Sequence, residues 1–164
     1  MSAFIALSLF TACSSKPDES ETTVETTVEQ IPDEPHDVEI VIAGDDRMMF
    51  DINEFEVVSG QRVKLVFNNT GTLAKEAMGH NAVILTAGAD LTAYAQEAAK
   101  YKANEYIPTA EPFASQTLAH TKLLGPKETD VIYFTAGAPG KYKYLCSFPA
   151  HFMMMQGVMV VLQP

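Results

Sequence analysis

The chain has 164 residues, 47% of them hydrophobic, and no tryptophan, which gives room for one domain with an ordinary core. Its formal net charge of −10 makes nucleic acid an unsuitable partner. Of its two cysteines, Cys13 lies close to the start and Cys146 close to the end.

Residues 1–12 are apolar or small, uncharged, and too few to span a bilayer, as expected of the hydrophobic core of an export signal. Phe10-Thr11-Ala12-Cys13 followed by Ser14-Ser15 resembles a bacterial lipoprotein signal, in which Cys13 becomes the lipidated first residue. Phe10 stands where leucine is usual, and no Lys or Arg precedes the apolar run. The alternative is a cleaved soluble precursor or a frayed terminus. Residues 13–35 then read as an acidic disordered tether. Seven carboxylates (Asp18, Glu19, Glu21, Glu25, Glu29, Asp33, Glu34) face one lysine, Lys16, so the tether holds −6 of the charge and the remainder −4. Such a segment buries too little to offset the entropy of ordering it. It would span about 25 Å on average and at most about 75 Å above a membrane.

From residue 36 to 164 the pattern becomes period-two runs between turns. Strands are predicted over 37–43, 54–58, 62–68, 81–86, 130–135, 141–146 and 157–162, punctuated by Gly60, Gly71, Gly88, Gly125 and Ala138-Pro139-Gly140. Seven to eight short strands in this length make an all-β Greek-key sandwich. One stretch, 90–102, breaks the pattern. There Asp90 can cap a helix whose face carries Leu91, Tyr94, Ala95 and Ala98, giving an inserted helical flap.

The run from Cys146 to Met155 places a thiol, an imidazole and a thioether at C-x4-H-x3-M spacing, with Gly79-His80-Asn81 far upstream. Two imidazoles and one thiolate with a weak thioether suit copper that cycles between Cu(I) and Cu(II). Taken singly, each residue has a plainer explanation: Cys146 as a small core hydrophobe, His80 as a turn residue. Their coincidence reverses that. His36 and His120 have no thiolate or paired histidine beside them and are expected to be solvated. Most of the eight methionines are expected to fill core gaps. A structural zinc site would need four protein ligands, and a binuclear copper centre a second cysteine in the loop. A Cys-His hydrolase would leave the methionines unused.

Met78-Gly79-His80-Asn81, Ala119-His120-Thr121-Lys122-Leu123, and the Cys146 to Met155 loop closing in Gln156-Gly157 together resemble the azurin-type small blue copper proteins, the cupredoxins, over about 37–162. The resemblance implies His80, Cys146 and His151 as equatorial ligands of one copper ion. Met155 would be the axial ligand, with the Gly79 carbonyl on the opposite axis. Asn81 and the backbone N–H of Phe148 would donate toward the sulfur and favour Cu(I). It also implies an apolar docking patch at Met48, Leu73, Ala77, Met78, Phe148, Pro149, Ala150, Met153 and Met154 around the edge of His151. Two features depart from the family: no cysteines stand near Asp37 and Gly60 to form its disulfide, and Asn69 replaces a buried, titrating histidine.

The function expected from this is single-electron transfer with no substrate turned over. The partners would be redox proteins such as cytochromes or membrane oxidoreductases. The domain would be monomeric and held by its lipid on the periplasmic side of a bacterial cell envelope. Copper delivery or storage, suggested by Met48, Met78, Met153 and Met154, is the alternative. A metal-free adhesive sandwich would leave the Cys-His-Met set unexplained.

Overall fold

In the computed structural model, residues 33–164 are described, and they form a two-layer β-sandwich. The strands are β1 (Val38–Asp45), β2 (Met49–Phe50), β3 (Glu54–Val58), β4 (Arg62–Asn69), β5 (Val83–Leu85), β6 (Thr117–His120), β7 (Thr129–Thr135), β8 (Gly140–Leu145) and β9 (Gln156–Leu162). One sheet runs β2-β1-β4-β7 and the other β3-β9-β8-β5-β6. β1–β4 and β3–β9 pair in parallel, and the remaining neighbours are antiparallel.

The alternation read from the sequence explains the layers. In β4, Val63, Leu65, Phe67 and Asn69 point inward while Arg62, Lys64, Val66 and Asn68 point outward. The facing sheet supplies Tyr142, Tyr144, Met159 and Val161. Phe50 bridges the layers, edge-on to Phe67 at 5.8 Å and tilted against Tyr144 at 5.2 Å. Each such side chain, fully buried, stabilises the fold by roughly 1.5–3 kcal/mol. The Tyr144 hydroxyl has to enter the core with its ring, and it donates to the Ile52 carbonyl.

Two short strands escape the period-two reading. β2 has only two residues, and β6 pairs with β5 through a register shift that interrupts any regular alternation. The predicted strand over 81–86 contracts to Val83–Leu85, because Ala82 bonds the Thr121 hydroxyl instead of continuing a ladder. The helix also contracts. A four-residue turn, α1 (Lys75–Met78), precedes the true flap, α2 (Leu91–Ala98), where a helix over 90–102 was expected. Asp90 does cap α2, accepting from Thr92 N at 2.9 Å and Ala93 N at 3.1 Å. The four expected residues, Leu91, Tyr94, Ala95 and Ala98, are its buried face. Beyond Ala98 the stripe runs out into exposed Ala99 and Lys100, and the chain turns back through left-handed Glu105 and Tyr106. α2 covers the outer side of the second sheet, so Val83 and Leu85 are buried beneath it while Ile84 faces the inter-sheet core.

Asp33 and Glu34 lie within the described residues and make ion pairs with Lys64 at 2.9 Å and Arg62 at 2.7 Å. Residues 1–32, with the expected signal, Cys13 and most of the tether, lie outside the described residues. No helix among the described residues is long and apolar enough to cross a membrane.

Candidate metal centre

Three nucleophilic atoms converge at one end of the sandwich, brought there from two distant parts of the chain. Cys146 Sγ lies 3.6 Å from His151 Nδ1 and 3.9 Å from His80 Nδ1, and the two imidazole nitrogens are 3.2 Å apart. Among the described residues, this is the only group of three or more His, Cys, Asp or Glu side chains close enough to hold a metal. His80, Cys146 and Met155 are fully buried, and His151 is 3% exposed.

Local structure explains the convergence. His80 follows α1 and forms an isolated antiparallel bridge with Leu124, N to O at 3.1 Å and back at 2.7 Å. Its Gly79 neighbour needs to be glycine, since a Cβ there would sit 2.7 Å from the Lys75 carbonyl and 3.1 Å from Leu123 Cγ. Cys146 stands one residue beyond β8, and its N–H donates to the Met155 carbonyl at 3.0 Å. That bond closes a ten-residue loop at its neck. Inside the loop a 3₁₀ turn, His151–Met153, starts from Ala150 in a left-handed conformation, φ 69°. Met155 N donates to the His151 carbonyl at 2.8 Å, fixing these two side chains relative to each other.

Burial keeps all three groups in their neutral forms. Burial pushes the Cys146 thiol up to about 12, although the backbone N–H groups of Asn81 and Phe148 donate to its sulfur and oppose the rise. Burial pulls His151 down to about 4, and the neighbouring His80 adds to this; His80 is lowered for the same reason. Two neutral imidazoles turn their Nδ1 atoms toward each other and toward one sulfur, so their lone pairs point to a common place. A bound metal would resolve this crowding of acceptors. The donor set, two nitrogens and one sulfur with a buried thioether alongside, fits copper.

Asn81 acts in two ways. Its backbone N–H meets the sulfur. Its side chain ties the two arms together, with Oδ1 accepting from Ser147 N at 2.8 Å and Nδ2 donating to Ser147 Oγ at 2.8 Å and to the Glu105 carbonyl at 3.2 Å. Phe148 stacks on His151 at 4.6 Å and meets Tyr106 edge-on at 5.1 Å. Asn69, in place of the family's titrating histidine, is buried, donating to the Leu124 carbonyl at 3.1 Å and accepting from Gly71 N at 2.9 Å. It thereby supports the Leu124 bridge that holds His80. Where the family's disulfide would stand, Asp37 instead accepts from Arg62 N at 2.7 Å.

The chain matches the family model described as copper binding proteins, plastocyanin/azurin family, over residues 20–162. It belongs to that family. Azurin-1 of Alcaligenes xylosoxydans xylosoxydans is 39% identical over 123 residues, which are 72% of this chain and 92% of that protein. The azurin of Bordetella pertussis is 37% identical over the same length, 72% of this chain and 79% of its own. Among solved structures, dithionite-reduced auracyanin from Roseiflexus castenholzii is similar at 38% identity with a TM-score of 0.67, covering 76% of this chain and 96% of its own. Auracyanin A from Chloroflexus aurantiacus, described as a blue copper protein, gives 31% identity and a TM-score of 0.68, with 76% and 98% covered. The copper protein described here is accordingly a blue copper electron-transfer protein, with a centre at His80, Cys146, His151 and Met155 of type 1 character. Nothing in these relatives favours copper delivery or storage.

Around the centre, the expected docking residues differ in exposure. Leu73, Ala77, Pro149, Ala150, Met153 and Met154 are exposed, whereas Met48, Met78 and Phe148 are half-buried. His120 is exposed and its Nδ1 meets the Thr121 carbonyl at 3.1 Å; His36 meets the Glu34 carbonyl at 2.8 Å. Neither approaches the centre. Three contributors were not foreseen from sequence. A Cβ on Gly44 would collide with Met155 Cε, so this glycine shapes the far wall beside the thioether. Ser147 and Glu105 complete the Asn81 clamp. Gly44 could have been suspected only as a glycine inside a strand run, where close approach of another group is a usual cause; the other two leave no sequence signal.

Proposed function

We propose that His80 Nδ1, His151 Nδ1 and Cys146 Sγ would hold one copper ion, with the Met155 thioether and the Gly79 carbonyl as further donors. The mutual approach of the three atoms within 3.2–3.9 Å carries this reading. When bound, copper supplies a one-electron couple between Cu(I) and Cu(II). The protein's part is to hold the donors where neither state is disfavoured, and the sheet ends on one side and the closed loop neck on the other limit their movement. The N–H groups of Asn81 and Phe148 draw charge from the sulfur and so favour the reduced state. Cys146 would give up its proton on holding the metal, because only the thiolate ligates.

Electrons pass through the His151 edge to redox proteins such as cytochromes or membrane oxidoreductases. Those partners dock on Met48, Leu73, Met78, Pro149, Met153 and Met154, an apolar surface of the kind that marks a partner site. The protein works on the periplasmic side of a bacterial envelope, held by a lipid on Cys13, and the domain is a monomer. Adding Cu(II) to the purified copper-free domain tests the centre. An intense blue band with a reversible one-electron wave is expected, and a colourless adduct would refute it. Met78→Lys should slow electron self-exchange at fixed ionic strength with little change of colour. Lipid labelling of the wild-type chain but not of Cys13→Ser would support the anchor.

A further inference from the structure

The centre is walled in. His80, Cys146 and Met155 have no exposure and His151 only 3%, so a copper ion entering a folded chain has no open path to any of its donors. Three sides are rigid: His80 is bridged to Leu124, Gly79 is backed by Lys75 and Leu123, and Met155 is pressed on Gly44. The remaining side is the 3₁₀ turn that carries His151, a single turn begun by left-handed Ala150 and closed by a long Met153 N to Ala150 O contact of 3.5 Å.

That turn ends in Met153 and Met154, which are 71% and 57% exposed, the largest values among the exposed large hydrophobic residues described. Methionine is useful in a core because it fills irregular gaps, and at an exposed position that benefit is absent. As an apolar contact for a partner, leucine would serve as well; what methionine adds is the sulfur. A thioether is a soft, neutral donor that selects Cu(I) over harder Cu(II) and needs no proton removed before it binds. The other soft donors of the loop, Cys146 and Met155, are fully buried. Met49 is also exposed, at 45%, but it lies on β2 outside the loop.

We propose that Met153 and Met154 are a Cu(I) capture site at the mouth of the centre, through which copper is loaded in its reduced state. The inference rests on the ligand assignment above. Capture forms copper–thioether bonds and changes no charge. In transfer inward these bonds break, copper bonds to both imidazoles and to Cys146 form, and the thiol proton leaves to solvent. Copper stays in the +1 state throughout, so no oxidant or reductant is required.

The experiment follows loading of the full-length copper-free chain from two sources. Cu(I) is presented as its coloured bicinchoninate complex, whose fading reports uptake; Cu(II) is presented as a free salt, with the growth of the blue band as readout. Met153→Leu combined with Met154→Leu should slow Cu(I) uptake several-fold. Cu(II) uptake, final copper content and final blue intensity should match wild type, and Met49→Leu should change nothing. An unchanged Cu(I) rate overturns the proposal. So does equal slowing with both oxidation states, which would mean that the substitutions merely stiffen the turn. A wild-type chain that loads copper yet never turns blue would overturn the ligand assignment itself, and the proposal with it. The leucines keep volume and apolarity, so loss of partner docking without a change in Cu(I) uptake would assign these side chains to the docking surface alone.

Discussion

The two arms that meet at the centre are built by opposite means. The His80 arm is embedded: its backbone is bridged to Leu124, Leu124 is held by Asn69, and a glycine on each side of the site admits no side chain. The Cys146–Met155 arm is a loop with exposed Pro149, Ala150, Met153 and Met154, anchored at its neck and by one clamp from Asn81. One arm supplies a fixed point, and the other supplies the thiolate, the second imidazole, the thioether and the contact with the outside. Fixing the donors and reaching a partner make conflicting demands, and the fold assigns them to different segments.

The most severe way to break this arrangement is Cys146→Ser, which removes the sulfur of the centre's Cys-His-His set. The domain should fold and bind copper weakly without any blue band, and absorption spectroscopy decides it; a retained band would end the copper–thiolate reading. Removing the clamp should come next. Asn81→Ala leaves the buried Ser147 N–H and hydroxyl without their partner, and about 1–3 kcal/mol of stability should be lost in urea unfolding. A change below a few tenths of a kcal/mol would show that the arms are not held together there.

A pH series sharpens the comparison in the copper-free protein. Buried His151 has a pKa near 4 when folded against 6.5 when exposed, so between these values the unfolded chain binds the extra proton. Stability should therefore be full above pH 6.5 and fall as the pH drops toward 4. Cys146 acts with the opposite sign: its folded value of about 12 exceeds the ordinary 9, so stability should fall as the pH rises above 9. Urea midpoints at pH 4.5, 7.5 and 10 should trace a dome, and a flat line would contradict the burial of both groups.

Smaller effects separate the three adjacent methionines. Met155→Leu removes a buried donor that favours Cu(II), so the reduction potential should rise, each tenfold change in preference being worth ~60 mV. Met153→Leu and Met154→Leu, on exposed side chains, should shift it far less; the reverse order in voltammetry would overturn the axial assignment. Ala150→Gly should have the least effect. It relieves a left-handed alanine, and the unfolding free energy should rise by at most about 1 kcal/mol with the blue band unchanged. A loss of stability would mean that the alanine methyl packs the loop.

Much of this was legible in the chain, for uneven reasons. The main strands follow from strict alternation, and the buried face of α2 from its 3.6-residue spacing, because in both cases burial is written locally. The ligand loop was legible because its members are close in sequence and chemically unusual. β2 and β6 were not, since two or four residues cannot establish a period and the β6 pairing carries a register shift. Gly44, Ser147 and Glu105 matter through contacts tens of residues away, such as Ser147 with Asn81, and no local pattern announces such a meeting.

The parallel pairing of β3 with β9 has a consequence for how the molecule is made. Glu54 finds its partner in Val158 and Val58 in Leu162, and β3 has no other neighbour in its sheet. During synthesis β3 must wait, with both edges open, until β9 has emerged about a hundred residues later. Pairings so far apart in sequence delay folding, since a long loop must close before any contact rewards it. Removing β9 (Gln156–Leu162) would thus orphan a segment made a hundred residues earlier, and intactness of that strand becomes a checkpoint for the whole sandwich.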